Sequence, residues 1–464
     1  MTSFRGRFYD QLPGVARLAA VNVAGVRTLL RKREWERCLV SALPTECWPA
    51  EMQRSYVADQ LRVMLSHAIG TVPRYCGMRG VLAMLETPHA DDVFDALAGF
   101  PVIAKEDIID QPDAFLSSAL EPRSLRASKT SGTTGTPFAM LVDQRTRALT
   151  DALSWRRTVW AGYEKGDWIA RLVGDRVIPL RIGAPRRVGV TSIVDRRLYL
   201  STYHLSSGSV GLYVEALRKR RPAFIMGYPS ALLALCSLYG RSVATREWRP
   251  KAVLYSSEPL LEHQRQVIEG RFAAPCRGFY GCAERVVSAA ECEHGTYHLS
   301  LVDGYLEGQF ASAALPDRRA LVTTLSNAGM PLIRYAIGDV LNPLGWVGCQ
   351  CGRTLPAIEP VVTKAEDCIL TPSGRVISPS ILTWAFKDVD GLVASQIAQV
   401  SERAVEIRVV CADPRLTSVG ELLRGRVGEL LFGEMEITVV GASELTTTPA
   451  GKTRFVVNEW SHAE

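Results

Sequence analysis

Apolar residues at Leu12, Val15, Leu18, Val21, Val26, Leu29 and Leu30 recur at roughly helical spacing, interrupted by Arg17 and Arg27 and closed by Arg31-Lys32-Arg33, so a helix is expected over 12–30. It is too charged to span a bilayer. Its basic flanks suit either a helix lying on a membrane surface or one docked on its own domain. A second helix, 60–68, ends near Gly70, and Val72-Pro73-Arg74-Tyr75 turns the chain. Beyond residue 140 the pattern alternates: a helix over 148–160, a strand over 168–173, a helix over 212–221, a strand over 224–226 and a new helix from 231. Alternation of this kind predicts an α/β fold, with mainly parallel sheet covered by helices and ligands bound where loops leave the strand ends. Past residue 362 the pattern changes to short strands (405–410, 436–440) and short helices (380–386, 420–426), an α+β unit of about a hundred residues. Two domains are therefore expected, a large one over 1–362 and a small mobile one over 363–464.

The chain has 464 residues, 47% hydrophobic and 22% charged, enough for more than one core. Its net charge of +6 comes from 54 basic and 48 acidic residues scattered in short groups, which argues against nucleic acid and fits a cleft for a small polyanion. Eleven cysteines without a secretory signal point to reduced thiols in a cytoplasm, where clustered ones serve as metal ligands.

Four stretches carry chemistry. The first is Ser128-Lys129-Thr130-Ser131-Gly132-Thr133-Thr134-Gly135-Thr136-Pro137, where hydroxyls and glycine-exposed amides can surround a phosphate. It lacks the Gly-Lys-Ser/Thr ending of the P-loop, and composition alone does not separate it from a solvated linker. The second is Tyr255-Ser256-Ser257-Glu258-Pro259 with Phe279-Tyr280-Gly281-Cys282-Ala283-Glu284, two apolar strands that each run into a loop with a carboxylate. The third is Tyr335-Ala336-Ile337-Gly338-Asp339, whose acceptor-only carboxylate can receive two vicinal ribose hydroxyls. The fourth is Pro449-Ala450-Gly451-Lys452, a loop lysine able to bring a point charge to a ligand on another domain.

These stretches, in this order, resemble the adenylate-forming superfamily of acyl-CoA synthetases. Val72-Pro73-Arg74-Tyr75 and Gly227-Tyr228-Pro229-Ser230 are similar to its phenylacetate-CoA ligase, CapK-like and coenzyme F390 synthetase-like branch. The resemblance implies that Ser131, Gly132, Thr133, Thr134 and Gly135 hold the ATP phosphates, and that Ser256, Ser257 and Glu258 border the adenine. Tyr280 and Gly281 would lie against the adenine, Glu284 would help hold Mg²⁺, and Asp339 would bind ribose. Tyr228, Pro229 and Ser230 would wall the acyl pocket. Lys452 would reach the carboxylate and α-phosphate, and Glu366 stands at the hinge. Three departures are visible: Ala283 where Ser or Thr is common, Tyr-Ala-Ile-Gly-Asp in place of Tyr-Arg-Thr-Gly-Asp, and Thr363-Lys364 in place of the hinge Gly-Arg.

The implied activity is ATP-dependent activation of a carboxylic acid as acyl-AMP with pyrophosphate release, then acyl transfer to coenzyme A. An amine or a carrier-protein thiol is the rival acceptor, and a homodimer is left open. A nucleotide-binding relative without chemistry is the remaining alternative, opposed by the retention of Thr133, Thr134, Glu284, Asp339 and Lys452. Trp155, Trp160 and Tyr163 fit either an aromatic-acid pocket or core.

Between the second and third stretches, Cys292 and His298 precede the close pair Cys349-Gln350-Cys351-Gly352. Three thiolates and one imidazole make a closed tetrahedral set for structural Zn²⁺, with a redox pair or buried free thiols as other readings. The branch resemblance implies zinc, and His294 competes with His298.

Overall fold

The computed structural model describes residues 14–129, 139–175, 177–179, 186–310, 320–337, 339, 341–361, 368–377, 379–386, 389, 392–411, 416–442, 445 and 454–460. A ten-stranded sheet organises the larger part. In spatial order its strands are Pro343–Gly345, Ala357–Ile358, Tyr297–Leu299, Ser288–Glu291, Cys276–Gly281, Ala252–Ser256, Phe224–Gly227, Ile169–Leu172, Arg197–Leu200 and Gly189–Ser192. The five from Cys276–Gly281 to Arg197–Leu200 run parallel, and antiparallel strands extend the sheet at both edges.

The parallel strands are apolar because both faces are covered. On one face Ala170, Ile225, Val253 and Tyr255 join a core with the helices Val210–Arg220, Pro229–Tyr239 and Glu262–Phe272. Their immediate neighbours Ile169, Phe224, Ala252 and Leu254 point to the other face, against Trp155 and Tyr163. Period-two alternation thus divides each strand between two cores.

Helix Gln144–Trp160 starts four residues earlier than its apolar pattern suggests, because Asp143 caps it by accepting from the amide of Thr146 (2.7 Å). The N-terminal helix runs Gly14–Ala42, past the basic triplet. Charge does not stop a helix, and the first proline after it is Pro44. The next helix, Ala50–Thr71, likewise begins ten residues before the expected 60–68, directly after Pro49. It packs with Tyr75, Phe100 and Phe115 in the largest core, which also takes residues of the small sheet Gly304–Leu306, Leu321–Thr324 and Tyr335–Ala336. The stretch from Met330 to Asp339 reads as extended and partly apolar in sequence. Only Tyr335–Ala336 pairs, since Pro331 lacks an amide and Arg334 adopts a positive φ of 51°.

Past residue 368 a four-stranded sheet, ordered Glu436–Gly441, Ala404–Cys411, Leu392–Ser401, Val456–Asn458, packs on helix Leu416–Leu430 around Ile397, Ile407, Leu423 and Phe455. Tyr203 of the larger part belongs to this core, and the His204 ring lies 5.2 Å from that of Phe432. Strand Leu392–Ser401 has no clean alternation in sequence, for Ser395, Gln396 and Gln399 are buried among its apolar residues.

Candidate active site

The C-terminal ends of the parallel strands gather the second and third chemical stretches. Strand Cys276–Gly281 delivers Tyr280, whose hydroxyl donates to Asp339 Oδ2 at 2.9 Å, 59 residues away. A few residues on, the Tyr335 hydroxyl donates to Glu284 Oε1 at 3.2 Å. Two Tyr–carboxylate pairs therefore tie the strand-end turn to the segment 335–339. Glu284 is 9% exposed, and its pKa is raised, chiefly by burial; the neighbouring Asp339 adds repulsion, while Lys105 and the Tyr335 hydroxyl oppose it. Burial and the facing Asp339 likewise push the Tyr280 hydroxyl well above its ordinary value. The buried Glu284 and the half-buried Asp339 repel one another, and a cation between their segments would relieve that repulsion.

Two backbone outliers stand at these strand ends. Ser257 has φ +74° just past strand Ala252–Ser256, and Arg285 has φ +58° directly after Glu284. Left-handed φ in non-glycine residues is uncommon and clusters at functional turns. Arg285 hydrogen-bonds Thr150 on helix Gln144–Trp160, which fixes the turn from outside.

Glu258 Oε2 accepts from the amide of Ser230 at 2.9 Å, at the first turn of helix Pro229–Tyr239. The loop expected beside the adenine is thus joined to the Tyr228-Pro229-Ser230 segment expected along the acid. Tyr228 packs towards Gly174, where an added Cβ would lie 3.5 Å from its ring and 3.9 Å from Ile381. Burial, followed by Glu258 and Asp175, raises the Tyr228 hydroxyl's pKa. The other aromatic candidates are core: Trp155 packs on Trp35 (5.3 Å) and Tyr163 (4.9 Å), and Trp160 lies 6.2 Å from His298.

The third group sits at the opposite end of the same strands. Strand Ser288–Glu291 runs back from the Glu284 turn to Cys292, and Tyr297–Leu299 carries His298. The ligand atoms of Cys292, His298, Cys349 and Cys351 lie within 4.8 Å of one another. Cys292 Sγ and Cys349 Sγ are 3.7 Å apart, and Cys351 Sγ is 3.3 Å from His298 Nε2. His298 Nδ1 meets the Leu355 carbonyl at 3.1 Å, which selects the tautomer with Nε2 free towards the sulfurs. Burial lowers the His298 pKa to about 4 and raises that of Cys292 to about 11. Backbone amides of His294 and Arg353 donate to Cys292 and Cys351 (3.4 Å each), at turns where Gly295 and Gly352 have φ +80° and +77°. It is the His294 amide that faces the cluster; the ring grouped with the three sulfurs is His298.

Around the cluster lies a shell that sequence reading did not find. Arg353 and Arg156 lie over the Trp160 ring at 4.1 and 4.7 Å, and Trp160 Nε1 donates to Glu46 Oε2 at 3.0 Å. Arg156 and Arg157 are almost fully buried in helix Gln144–Trp160. Nothing in a lone Arg-Arg dipeptide signals burial. Tyr335 was visible only as part of the Gly-Asp stretch, and its partner could not be read from spacing. Ser131, Gly132, Thr133, Thr134, Gly135, Glu366 and Lys452 lie outside the described residues.

No protein-family profile matches the chain. It is 25% identical over 364 residues to phenylacetate-coenzyme A ligase of Pseudomonas putida, covering 73% of this chain and 76% of that protein. It is 20% identical over 364 residues to protein CapK of Staphylococcus aureus, covering 77% and 79%. Among solved structures, 2-hydroxyisobutyryl-CoA ligase with 2-HIB-AMP and CoA in the thioesterification state superposes with a TM-score of 0.54 at 19% identity, over 90% of this chain and 91% of that one. The same ligase in its postadenylation state gives 0.51 at 17% identity, over 90% and 92%. The structural likeness establishes the fold. In sequence the chain is similar to phenylacetate-coenzyme A ligase and to CapK, and in fold to 2-hydroxyisobutyryl-CoA ligase.

Proposed function

We propose that this protein activates a carboxylic acid with ATP and passes the acyl group to coenzyme A. A carboxylate oxygen attacks the α-phosphorus, the bond to the bridging oxygen of pyrophosphate breaks, and acyl-AMP remains. The CoA sulfur then attacks the acyl carbon, AMP leaves and the thiol proton is lost to solvent. The observation that carries this reading is the pairing of Tyr280 with Asp339 and of Tyr335 with Glu284, which brings segments 51 to 59 residues apart to one strand-end site. Ser256, Ser257, Tyr280 and Gly281 border the base, Asp339 receives the ribose hydroxyls, and the Thr133-Thr134 loop takes the phosphates. Glu284, acceptor-only and repelled by Asp339, suits Mg²⁺, which when bound supplies charge neutralisation at the phosphates. Tyr228, Pro229 and Ser230 wall the acid. Lys452, on a C-terminal unit beginning near 363 and hinged at Glu366, stabilises charge in the first step and withdraws for the second.

Cys292, His298, Cys349 and Cys351 fit Zn²⁺, since three thiols and an oriented imidazole converge with backbone amides on the sulfurs. All four positions are protein donors, so the metal would be structural. We place the protein in the cytoplasm: ten described cysteines form no disulfide, and none of the described helices is long and apolar enough to cross a membrane.

The test is pyrophosphate release across a panel of carboxylic acids, with and without CoA. The reading requires acid-dependent pyrophosphate, a thioester product with CoA, and a large loss on Lys452→Ala with ATP still bound. Acid-dependent pyrophosphate without thioester, and amide formed with an amine or acyl transfer to a carrier protein, would replace the acceptor. No acid-dependent pyrophosphate with any acid would overturn the enzyme.

A further inference from the structure

Helix Gly14–Ala42 is apolar on two sides, and only one of them is covered. Val21, Trp35, Leu39 and Ala42 are buried, and Trp35 and Leu39 pack with Ala148 and Ala152 of helix Gln144–Trp160. The Asn22 side chain holds the helix to the sheet edge by accepting from the amides of Ile193 (3.1 Å) and Val194 (3.5 Å). The rest of the helix carries Leu18, Val23, Val26, Leu29 and Leu30, each 40–69% exposed, and Ile193, 73% exposed, stands beside them on the loop that Asn22 fixes. At 3.6 residues per turn Val23, Val26 and Leu30 fall on the side opposite Val21, Trp35 and Leu39, and Leu18 and Leu29 flank the Asn22 contact on the side next to it. Eight of the seventeen large apolar side chains exposed among the described residues belong to this helix and this loop. Soluble proteins seldom gather exposed apolar residues this way without something to cover them.

Charge decides what covers it. Helix Gly14–Ala42 holds six basic residues, Arg17, Arg27, Arg31, Lys32, Arg33 and Arg37, against two acids, Glu34 and Glu36. A second copy of this chain docked helix to helix would bring two net-positive helices together, against like-charge repulsion. An anionic lipid surface instead accepts the apolar stripe at the acyl boundary and attracts the cations. We propose that this face of the helix binds peripherally to anionic membrane surfaces, setting the protein on the bilayer without crossing it. Its orientation follows from the anchoring: the stripe meets lipid, while the catalytic strand ends, built on other elements, are left open to water.

The experiment is co-sedimentation of the full chain with vesicles of phosphatidylglycerol and phosphatidylcholine, against vesicles of phosphatidylcholine alone. Binding to the anionic vesicles is expected, falling at least tenfold on raising salt from 50 to 500 mM and absent with neutral vesicles. Val26→Asp and Leu30→Asp each remove one exposed apolar group and no core contact, so both should fold and bind at least tenfold more weakly. An Arg31→Gln, Lys32→Gln, Arg33→Gln variant should lose the preference for anionic lipid. Acid-dependent pyrophosphate release without vesicles should be unchanged in all three, which keeps this inference separate from the catalytic reading. Failure to sediment with anionic vesicles at low salt would overturn the proposal. Binding that survives both aspartate variants, or a dimer by light scattering that the aspartate variants dissociate, would also overturn it.

Discussion

Strand Ser288–Glu291 joins two clusters of opposite design. At one end Glu284 and Asp339 each accept from a tyrosine hydroxyl, and neither is enclosed by other acids or thiols among the described residues. At the other, Cys292, His298, Cys349 and Cys351 close on one another, with backbone amides on two sulfurs and a carbonyl on the imidazole. An open ligand set can admit and release a charged substrate, and a closed one can only hold. On the proposed function, a single short hairpin serves turnover at one end and permanence at the other. The chemistry of the donors, hard carboxylates against soft thiolates, matches that division.

The comparison breaks first at the closed end. Cys349→Ser with Cys351→Ser should abolish a stoichiometric zinc content and unfold the surrounding segments, with the soluble yield or melting temperature falling sharply. Structural zinc is worth on the order of 10 kcal/mol in small domains. Metal analysis finding zinc retained, or none in the wild type, would remove the closed set from the argument.

At the open end, Glu284→Gln keeps shape and should leave the fold and the zinc intact while adenylation falls by about 10²- to 10³-fold. Pyrophosphate exchange within a few-fold of wild type would contradict its role.

Neither end should respond to the contact between the two parts of the chain, which His204 probes. Its ring meets Ser201 Oγ at 2.9 Å and the Pro179 carbonyl at 3.1 Å, and burial, then Arg375, lowers its pKa to about 4 from an ordinary 6.5. The neutral form is favoured in the fold, so this stability is fully present above pH 6.5 and is lost as pH falls towards 4. The loss is on the order of 3 kcal/mol. Acid unfolding of His204→Asn should show a shallower slope in that window, and an unchanged slope would discard the assignment.

The smallest effect is expected from Tyr335→Phe. Without the hydroxyl that lowers its pKa, Glu284 becomes harder to ionise. Turnover should drop by about tenfold, the acid limb of the pH–rate profile should move to higher pH, and more Mg²⁺ should be needed for half-maximal rate. A uniform loss of rate with the same pH limb and the same Mg²⁺ requirement would mean a packing role alone.

The α/β class was legible in the sequence because strands buried on both faces read as apolar runs, as in Ala252-Val253-Leu254, and intervening helices keep their own period. Of the chemical stretches, the fold brings together Tyr280, Glu284 and Asp339 and the four Cys and His residues, while Thr133, Thr134 and Lys452 lie outside the described residues. Helix limits were not legible: Asp143 and Pro49 set starts that the apolar period does not mark, and Arg31-Lys32-Arg33 failed to end a helix that nothing local prohibits. The polar strand Leu392–Ser401 was hidden because Gln396 and Gln399 find buried partners only in the folded chain, at the carbonyls of Arg454 and Leu370.

By itself the sequence determined which residues could do chemistry here, and in what order along the chain. Which of them meet was decided by tertiary structure: His298 and not His294 beside the sulfurs, Tyr335 on Glu284, Tyr280 on Asp339, and Trp155 spent on core. The reason is physical. Helix period and turn chemistry act over a few residues and are written locally, whereas these pairs span 51 to 59 residues and exist only once strand register is fixed across the whole sheet.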